Sequence, residues 1–143
     1  MPHLVILYTG QLDQEVNMTT LCRQMADAML TVKDEAGKQV FPTGGTRVLA
    51  YPAPHYAVAD GGTAGQAAGG TGDYAFVYLN VRMGRGRSPA TQQAAGETLL
   101  QVAKAFFAAL MAQRHIGITL QIDEGPEVFD AKHSNLHPLF NKS

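Results

Sequence analysis

The stretch YAFVYLNVRMGRGRSPATQQAAGETLLQVAKAFFAAL, residues 74–110, predicts a strand, a turn and a helix in direct succession. Its first eight residues are largely apolar at both sets of alternating positions, which is typical of a strand covered on both faces. Ser88 and Pro89 then favour a helix start, because a serine hydroxyl caps the first turn and proline fits its first position. Four apolar residues follow at helical spacing: Leu99, Ala103, Phe106 and Leu110.

The segments on either side of this stretch repeat the same order of elements. The first unit contains an apolar strand and then a helix, whose apolar side chains recur every three or four residues and whose cap is Thr19 or Asn17. A glycine- and proline-rich connection, residues 33–46, leads to its second strand, which we expect Pro52 and Pro54 to stop. The predicted elements outside residues 74–110 are strands at 4–8, 47–53 and 117–122 and a helix from Thr19 to about Val32.

This order predicts an α+β domain made of two tandem β-α-β units. A helix between two strands of one sheet makes them parallel through a right-handed crossover, so the units can form a four-stranded sheet with two helices on one face. We expect one domain over residues 1–143, with the first unit at about 1–60 and the second at about 73–143. The joint between them, GGTAGQAAGGTG at 61–72, has the composition of a flexible linker or exposed loop. The other sheet face remains apolar and predicts a homo-oligomer.

Composition excludes several classes of function. The 143 residues carry a formal net charge of -1, so there is no basic field for nucleic acid or an anionic membrane. Cys22 is the single cysteine, which excludes an internal disulfide and suggests a reducing compartment. The N-terminal apolar run lacks the features of a signal peptide, and we judge no run to approach the roughly 20 apolar residues of a membrane span. We therefore expect a soluble cytoplasmic protein.

Candidate metal and anion sites are weakly signalled. His133 and His137 lie four residues apart, but no acidic residue completes a zinc motif and Pro138 interrupts the segment, so we expect no metal. The turn GRGRS at 84–88 lacks the pattern of a phosphate loop, yet it precedes a helix N-terminus that can hold an anion. Its two arginines therefore fit two interpretations equally, an anion site or a solvated turn, while Ser88 is better explained as a cap than as a nucleophile.

Pro2 is the strongest candidate for a catalytic group. A methionine that precedes a small residue is usually removed, and the Pro2 nitrogen then becomes a secondary amine that can act as a general base. Burial and nearby cations would favour the neutral amine near pH 7. A proline at the first residue of a strand is also permitted for purely structural reasons, and from this residue alone the structural interpretation is favoured.

Several motifs together indicate a family. The chain resembles the 5-carboxymethyl-2-hydroxymuconate isomerases of the tautomerase superfamily over most of its length, and DYAFV followed by GxGRS and a QQxAGE helix is a specific match. The segments that carry the resemblance are MPHLV at 1–5, FPTGGTR at 41–47, DYAFVYLNVRMGRGRS at 73–88, QQAAGETLLQVAKAFFAAL at 92–110, HIGITLQIDE at 115–124 and NLHPLF at 135–140.

The resemblance implies a fold, an assembly and a reaction. Members have two fused β-α-β units per chain, assemble as trimers, and isomerise a di- or tricarboxylate dienol to its conjugated oxo acid during aromatic catabolism, without metal or organic cofactor. The family's N-terminal proline matches Pro2, and its active-site arginines match Arg47 and Arg87. Pro2 would then move the proton, while the two arginines would bind carboxylates and stabilise the developing enolate. Since the second unit begins inside the chain, each chain would supply one proline base.

Two other functions remain open from the sequence. The same amine could serve a related hydratase, dehalogenase or decarboxylase, because no residue identifies a leaving group. A chain that keeps Met1 would have an amide nitrogen at Pro2 and would be a non-catalytic trimeric binding protein. Substrate assays separate the possible reactions, and the mass of the native protein separates an enzyme, which lacks Met1, from a binding protein, which retains it.

Overall fold

The structure, a computed structural model, describes residues 3–70, 72–125 and 127–140. Each predicted strand and both predicted helices are present, with bounds that differ from the predictions by at most a few residues. The strands are β1 (His3–Thr9), β2 (Arg47–Ala53), β3 (Ala75–Met83) and β4 (Ile116–Glu124), and the helices are α1 (Met18–Thr31), α2 (Thr63–Ala67) and α3 (Pro89–Met111). Three short 3-10 helices span Gly10–Gln14, Thr43–Gly45 and His137–Leu139.

The strands form one mixed sheet in the order β2-β1-β3-β4. Within each unit the two strands are parallel, as the β-α-β pattern requires, and the units meet through the antiparallel pair of β1 and β3. This confirms the prediction of two tandem units in one four-stranded sheet. The antiparallel junction also brings the first residue of β1 level with the last residues of β3, so the start of one unit lies beside the end of the other unit's first strand.

Both long helices cover the same face of this sheet. Alternate residues of the central strands point to that face and are buried, such as Leu4 and Ile6 of β1 and Val77 and Leu79 of β3. Against them pack the apolar stripes of α1 and α3. On α3 the predicted Leu99 and Ala103 are buried, but the stripe continues through Phe107, whereas the predicted Phe106 and Leu110 are only partly buried. The stripes consist of Leu21, Met25 and Met29 on α1 and of Ala95, Leu99, Ala103 and Phe107 on α3.

The caps of the two helices follow the sequence signals. The Asn17 side chain accepts a hydrogen bond from the Thr20 amide at 3.1 Å, which selects Asn17 over Thr19 as the cap of α1. Ser88 caps α3 by accepting a hydrogen bond from the Thr91 amide at 3.1 Å. These local bonds determine where each helix begins, and the Ser88 cap thereby fixes the turn that contains Arg87.

Helix α3 corrects the expectation that no segment approaches a membrane span. In the described part of the chain, its 23 residues are long and apolar enough to cross a bilayer by length and composition. Its apolar stripe is nevertheless part of the protein core, where Leu99 and Phe107 are fully buried. The apolar composition of α3 is thus explained by packing on the sheet.

The opposite sheet face exposes apolar side chains, as predicted. Leu7 of β1 and Leu49 and Tyr51 of β2 are each about half exposed, at 47%, 45% and 50%. Their neighbours in sequence point to the helices, so the exposure follows from strand alternation. Apolar surface is therefore contiguous across two adjacent strands on this face.

Two details differ from the sequence-based predictions. Pro52 lies inside β2, where it pairs with Tyr8, because β2 is an edge strand on which a missing N–H costs no ladder bond. The glycine-rich joint contains a short helix, α2, and Gly65 packs so closely that an added Cβ would lie 2.7 Å from the Tyr74 ring. The described part of this joint is therefore folded against the second unit, which its small side chains permit.

Candidate active site

The start of β1 lies between two arginines on the open face of the sheet. His3 is paired with Arg47 of β2 on one side and with Arg82 of β3 on the other. Residues paired directly across neighbouring strands point to the same face, and the buried neighbours Leu4 and Val81 point to the helices. Both arginines are exposed, and their guanidinium groups make no ion pair or hydrogen bond with any residue that the structure describes.

Pro2, the predicted catalytic residue, lies outside the described residues. It is joined by one peptide bond to His3, the residue that Arg47 and Arg82 flank. The structure thus brings predicted Arg47 to the strand that follows Pro2. Adjacent strands are about 4.8 Å apart, so side chains from both neighbours of β1 can reach a ligand at its start.

Arg87, the second predicted arginine, is anchored to the connection between α1 and β2. Its Nη2 donates a 2.9 Å hydrogen bond to the carbonyl oxygen of Val40, and the guanidinium is half-buried. Val40 is itself 2% exposed and donates from its backbone N–H to the Val32 carbonyl at 2.9 Å. The Arg87 guanidinium therefore uses one N–H donor to hold two loops together. A guanidinium has five such donors, so the others are available to a ligand.

The N-terminus of α3 already holds a carboxylate. Ser88 Oγ donates to Glu35 Oε2 at 2.8 Å, and Thr91 Oγ1 donates to Glu35 Oε1 at 2.5 Å. The hydrogen bonds from Thr91 and then Ser88 lower the pKa of the Glu35 carboxyl, which keeps it charged. An external anion at this helix terminus would have to compete with Glu35. The favourable position for an anion at the start of α3 is therefore occupied by a carboxylate of the protein itself.

Sequence reasoning missed Arg82 as a member of this site. The signal was present in the period of β3, because Arg82 alternates with the buried Val81 and Met83 and must therefore point to the open face. What the sequence did not contain was the register that pairs Arg82 with His3. That pairing joins residues 79 positions apart and depends on the antiparallel junction of the two units.

His133 and His137, the two histidines considered as metal ligands, lie in different local structures. His133 lies in an irregular segment and His137 begins a 3-10 helix, so the two do not share a helix face. Within residues 3–70, 72–125 and 127–140, no three His, Cys, Asp or Glu side chains are grouped so that they could hold a metal ion. His137 instead lies close to Gly44, because a Cβ added to Gly44 would be 3.1 Å from the Cα of His137.

A cavity of about 390 Å³ lies between α1 and the edge strand β2. It is lined in part by Arg47, Thr46 and Val48 from the strand side and by Thr19 and Cys22 from the helix side. Burial raises the pKa of the Cys22 thiol, which makes it a weaker nucleophile near neutral pH. Two larger grooves, of about 660 and 790 Å³, lack both Arg47 and Arg87.

The start of the second unit is closed by the glycine-rich joint. At the end of the sheet opposite to His3, the Tyr74 hydroxyl accepts a 2.9 Å hydrogen bond from the Gly65 amide and bonds to the carboxylate of Asp60. The contact with Asp60 raises the pKa of Tyr74 and, with backbone hydrogen bonds, lowers that of Asp60. The His115 ring meets Tyr74 edge-on at 5.9 Å. The arginine arrangement around His3 therefore has no counterpart here among these residues.

Comparisons with known proteins agree on one family. A family model described as 5-carboxymethyl-2-hydroxymuconate isomerase matches residues 2–140. A crystal structure of a 5-carboxymethyl-2-hydroxymuconate delta-isomerase is 66% identical, with a TM-score of 0.96 over 100% of this chain and 95% of that one. The 5-carboxymethyl-2-hydroxymuconate Delta-isomerase of Escherichia coli is 29% identical over 140 residues, covering 98% of this chain and 99% of that protein.

A more distant structure shares the fold alone. It is described as an F6 fused 4-OT wild type asymmetric trimer and is 16% identical, with a TM-score of 0.54 over 97% of this chain and 99% of that one. The four-stranded sheet with two long helices on one face is thus the architecture of a known group of proteins.

Proposed function

The chain belongs to the 5-carboxymethyl-2-hydroxymuconate isomerase family, and on that basis we propose that it converts a dienol of this type to its conjugated oxo acid. The observation that carries the proposal is the position of Arg47. This cation has no ion-pair partner among the described residues and lies on the strand that pairs with His3, the residue after Pro2. A polycarboxylate substrate needs such cations in order to bind, and a base beside them can transfer a proton within the bound substrate.

The reaction needs only a proton transfer and a shift of double bonds. Pro2, with Met1 removed, accepts the proton of the dienol hydroxyl and returns it to a distant carbon of the conjugated chain. Arg47 and Arg87 bind carboxylates and stabilise negative charge on the oxygen as the enolate forms. Their positive charge also favours the neutral form of the Pro2 amine.

We further propose a cytoplasmic homotrimer that binds three substrates. The exposed apolar face around Leu7, Leu49 and Tyr51 supports an assembly, since contiguous apolar surface of this kind is typically covered by another subunit. A protein of the same fold is described as a trimer. Because the second unit starts inside the chain, one proline base is available per chain, and titration with a tight substrate analogue should give one site per chain.

The decisive experiment compares proteins that differ only at the N-terminus. Mass spectrometry first identifies the protein that lacks Met1, and a spectrophotometric assay with 5-carboxymethyl-2-hydroxymuconate then measures its turnover. A variant with an uncleaved N-terminal extension has an amide at Pro2, and its turnover should fall on the order of 10²- to 10⁴-fold. Pro2→Ala, which keeps a primary amine, should lose less than the extended protein. Equal rates in all three proteins would show that Pro2 is not the base.

A further inference from the structure

Arg82 is a third cation at the start of β1, and neither the family match nor the arginine motifs assigned it a role. It lies directly across from His3 on β3, while Arg47 lies across from His3 on β2. The two arginines therefore approach the start of β1 from opposite sides of the same sheet face. A ligand that spans this end of the sheet, from β2 to the chain after β4, would meet one guanidinium near each of its ends.

Among the residues that the structure describes, Arg82 has no counter-ion, even though an acidic residue is paired with it across the strands. Asp123 of β4 lies directly across from Arg82, but the two form no ion pair. Asn80 donates instead to Asp123 Oδ2 at 2.9 Å and thereby holds that carboxylate along the strand. An arginine kept apart from its natural partner is available for an external carboxylate.

The direction of the Arg82 side chain is set by a glycine. A Cβ on Gly125 would lie 2.3 Å from Arg82 Nη2 and 2.7 Å from its Cζ, so the guanidinium occupies the space that any other residue would fill. Gly125 follows the last residue of β4, and its N–H faces the Met83 carbonyl at 3.4 Å. The guanidinium therefore lies against the chain that follows β4, on the side of β3 away from β1, at the same end of the sheet as His3.

We propose that Arg82 binds the third carboxylate of a tricarboxylate substrate and so sets the preference for triacids over diacids. This inference rests on the proposed function, in which Arg47 and Arg87 bind two carboxylates. A 5-carboxymethyl-2-hydroxymuconate has three carboxylates, two from the muconate and one from the carboxymethyl group, and 2-hydroxymuconate has two. Arg82 supplies the cation that the triacid needs and the diacid does not.

The test measures kcat/KM for the triacid and for 2-hydroxymuconate in four variants. Arg82→Gln should lower kcat/KM for the triacid about 10- to 100-fold, mainly through KM, the range expected for a lost charge-assisted hydrogen bond. The same variant should change kcat/KM for the diacid by no more than about threefold. Arg82→Lys should recover part of the loss. Gly125→Ala keeps every charge but crowds the guanidinium, and it should reproduce the selective loss. Lys104→Gln, on the exposed side of α3, is the control for the change of net charge.

Each other outcome has a defined meaning. Equal losses on both substrates would overturn the proposal and assign Arg82 a general electrostatic effect on the base. An unchanged triacid rate in Arg82→Gln would exclude it from the site. If the wild type turned over neither dienol, the proposed function would fail by itself. Calorimetry with hexanedioate and its carboxymethyl derivative would then test Arg82 directly, because Arg82→Gln should weaken only the triacid, and equal binding by variant and wild type would overturn the proposal.

Discussion

The carboxylate of Glu35 lies against the first turn of α3, where it accepts a 2.5 Å hydrogen bond from the Thr91 hydroxyl. The two residues are 56 positions apart, and their contact joins the connection of the first unit to the helix of the second. Ser88 donates to the same carboxylate and also caps the helix. The segment that positions Arg87 is therefore held from both units.

The first prediction concerns pH. The pKa of Glu35 is below its ordinary value of 4.5, so the folded state holds the charged carboxylate more favourably than the unfolded chain does. The stabilisation is complete above that ordinary value and is lost as pH falls through the lowered pKa. Urea midpoints of Glu35→Gln should therefore lie below those of the wild type at neutral pH and approach them as pH falls below the lowered pKa of Glu35. A constant difference between the two proteins across that range would contradict the assignment.

The second prediction separates binding from structure at Arg87. Arg87→Ala should raise KM and lower kcat/KM about 10- to 100-fold, because it removes a carboxylate-binding cation. It also removes the hydrogen bond to Val40. Glu35→Gln loosens the same connection and leaves Arg87 in place, so it should change KM much less. Similar kinetics for both variants would mean that Arg87 acts only by holding the loop.

The third prediction tests the folded glycine-rich joint. Tyr74→Phe removes the hydroxyl that the Gly65 amide and Asp60 share, and Gly65→Ala places a Cβ 2.7 Å from the Tyr74 ring. Both variants should make residues 59–70 several-fold more sensitive to limited proteolysis. Activity should be retained, since this end of the sheet is opposite to His3. Unchanged proteolysis in Gly65→Ala would show that the joint does not pack on Tyr74.

The fourth prediction measures the core between α3 and the sheet. Leu99 is fully buried, and Leu99→Ala should lower the free energy of unfolding by about 2 to 5 kcal/mol. Its neighbour Leu100 is only half-buried and provides the matched control, with a smaller expected loss. Denaturant unfolding of both variants measures the two losses in the free energy of unfolding and so compares them. Equal losses would mean that α3 packs through a different face.

Much of the fold could be predicted because its signals are local. The period of the apolar residues and the caps Asn17 and Ser88 depend on side chains within a few positions of one another. Strand β2 was predicted with its observed bounds, Arg47–Ala53. Pro52 was expected to help stop that strand, yet it pairs with Tyr8 within it, because the edge position of β2 in the sheet tolerates a proline.

The candidate site could be predicted only in part. The resemblance to a family identified Pro2, Arg47 and Arg87, and their roles remain predictions for experiment. Arg82 has no motif of its own, and the glycine-rich joint looked like a linker because its packing partners, Tyr74 and His115, lie beyond it in sequence. A residue's local sequence does not contain the identity of such distant neighbours.

By itself the sequence determined the strands, the helices and their parallel pairing within each unit, because hydrophobic periodicity, caps and crossover handedness act over short separations. Only the tertiary structure decided that β1 and β3 run antiparallel at the centre of the sheet. That junction places Arg82 beside His3, and the parallel pairing of β1 with β2 adds Arg47 to the same row on the same face. The physical reason is that strand register is set by pairing and burial across the whole sheet, so the neighbours of His3 are fixed only when both units fold together.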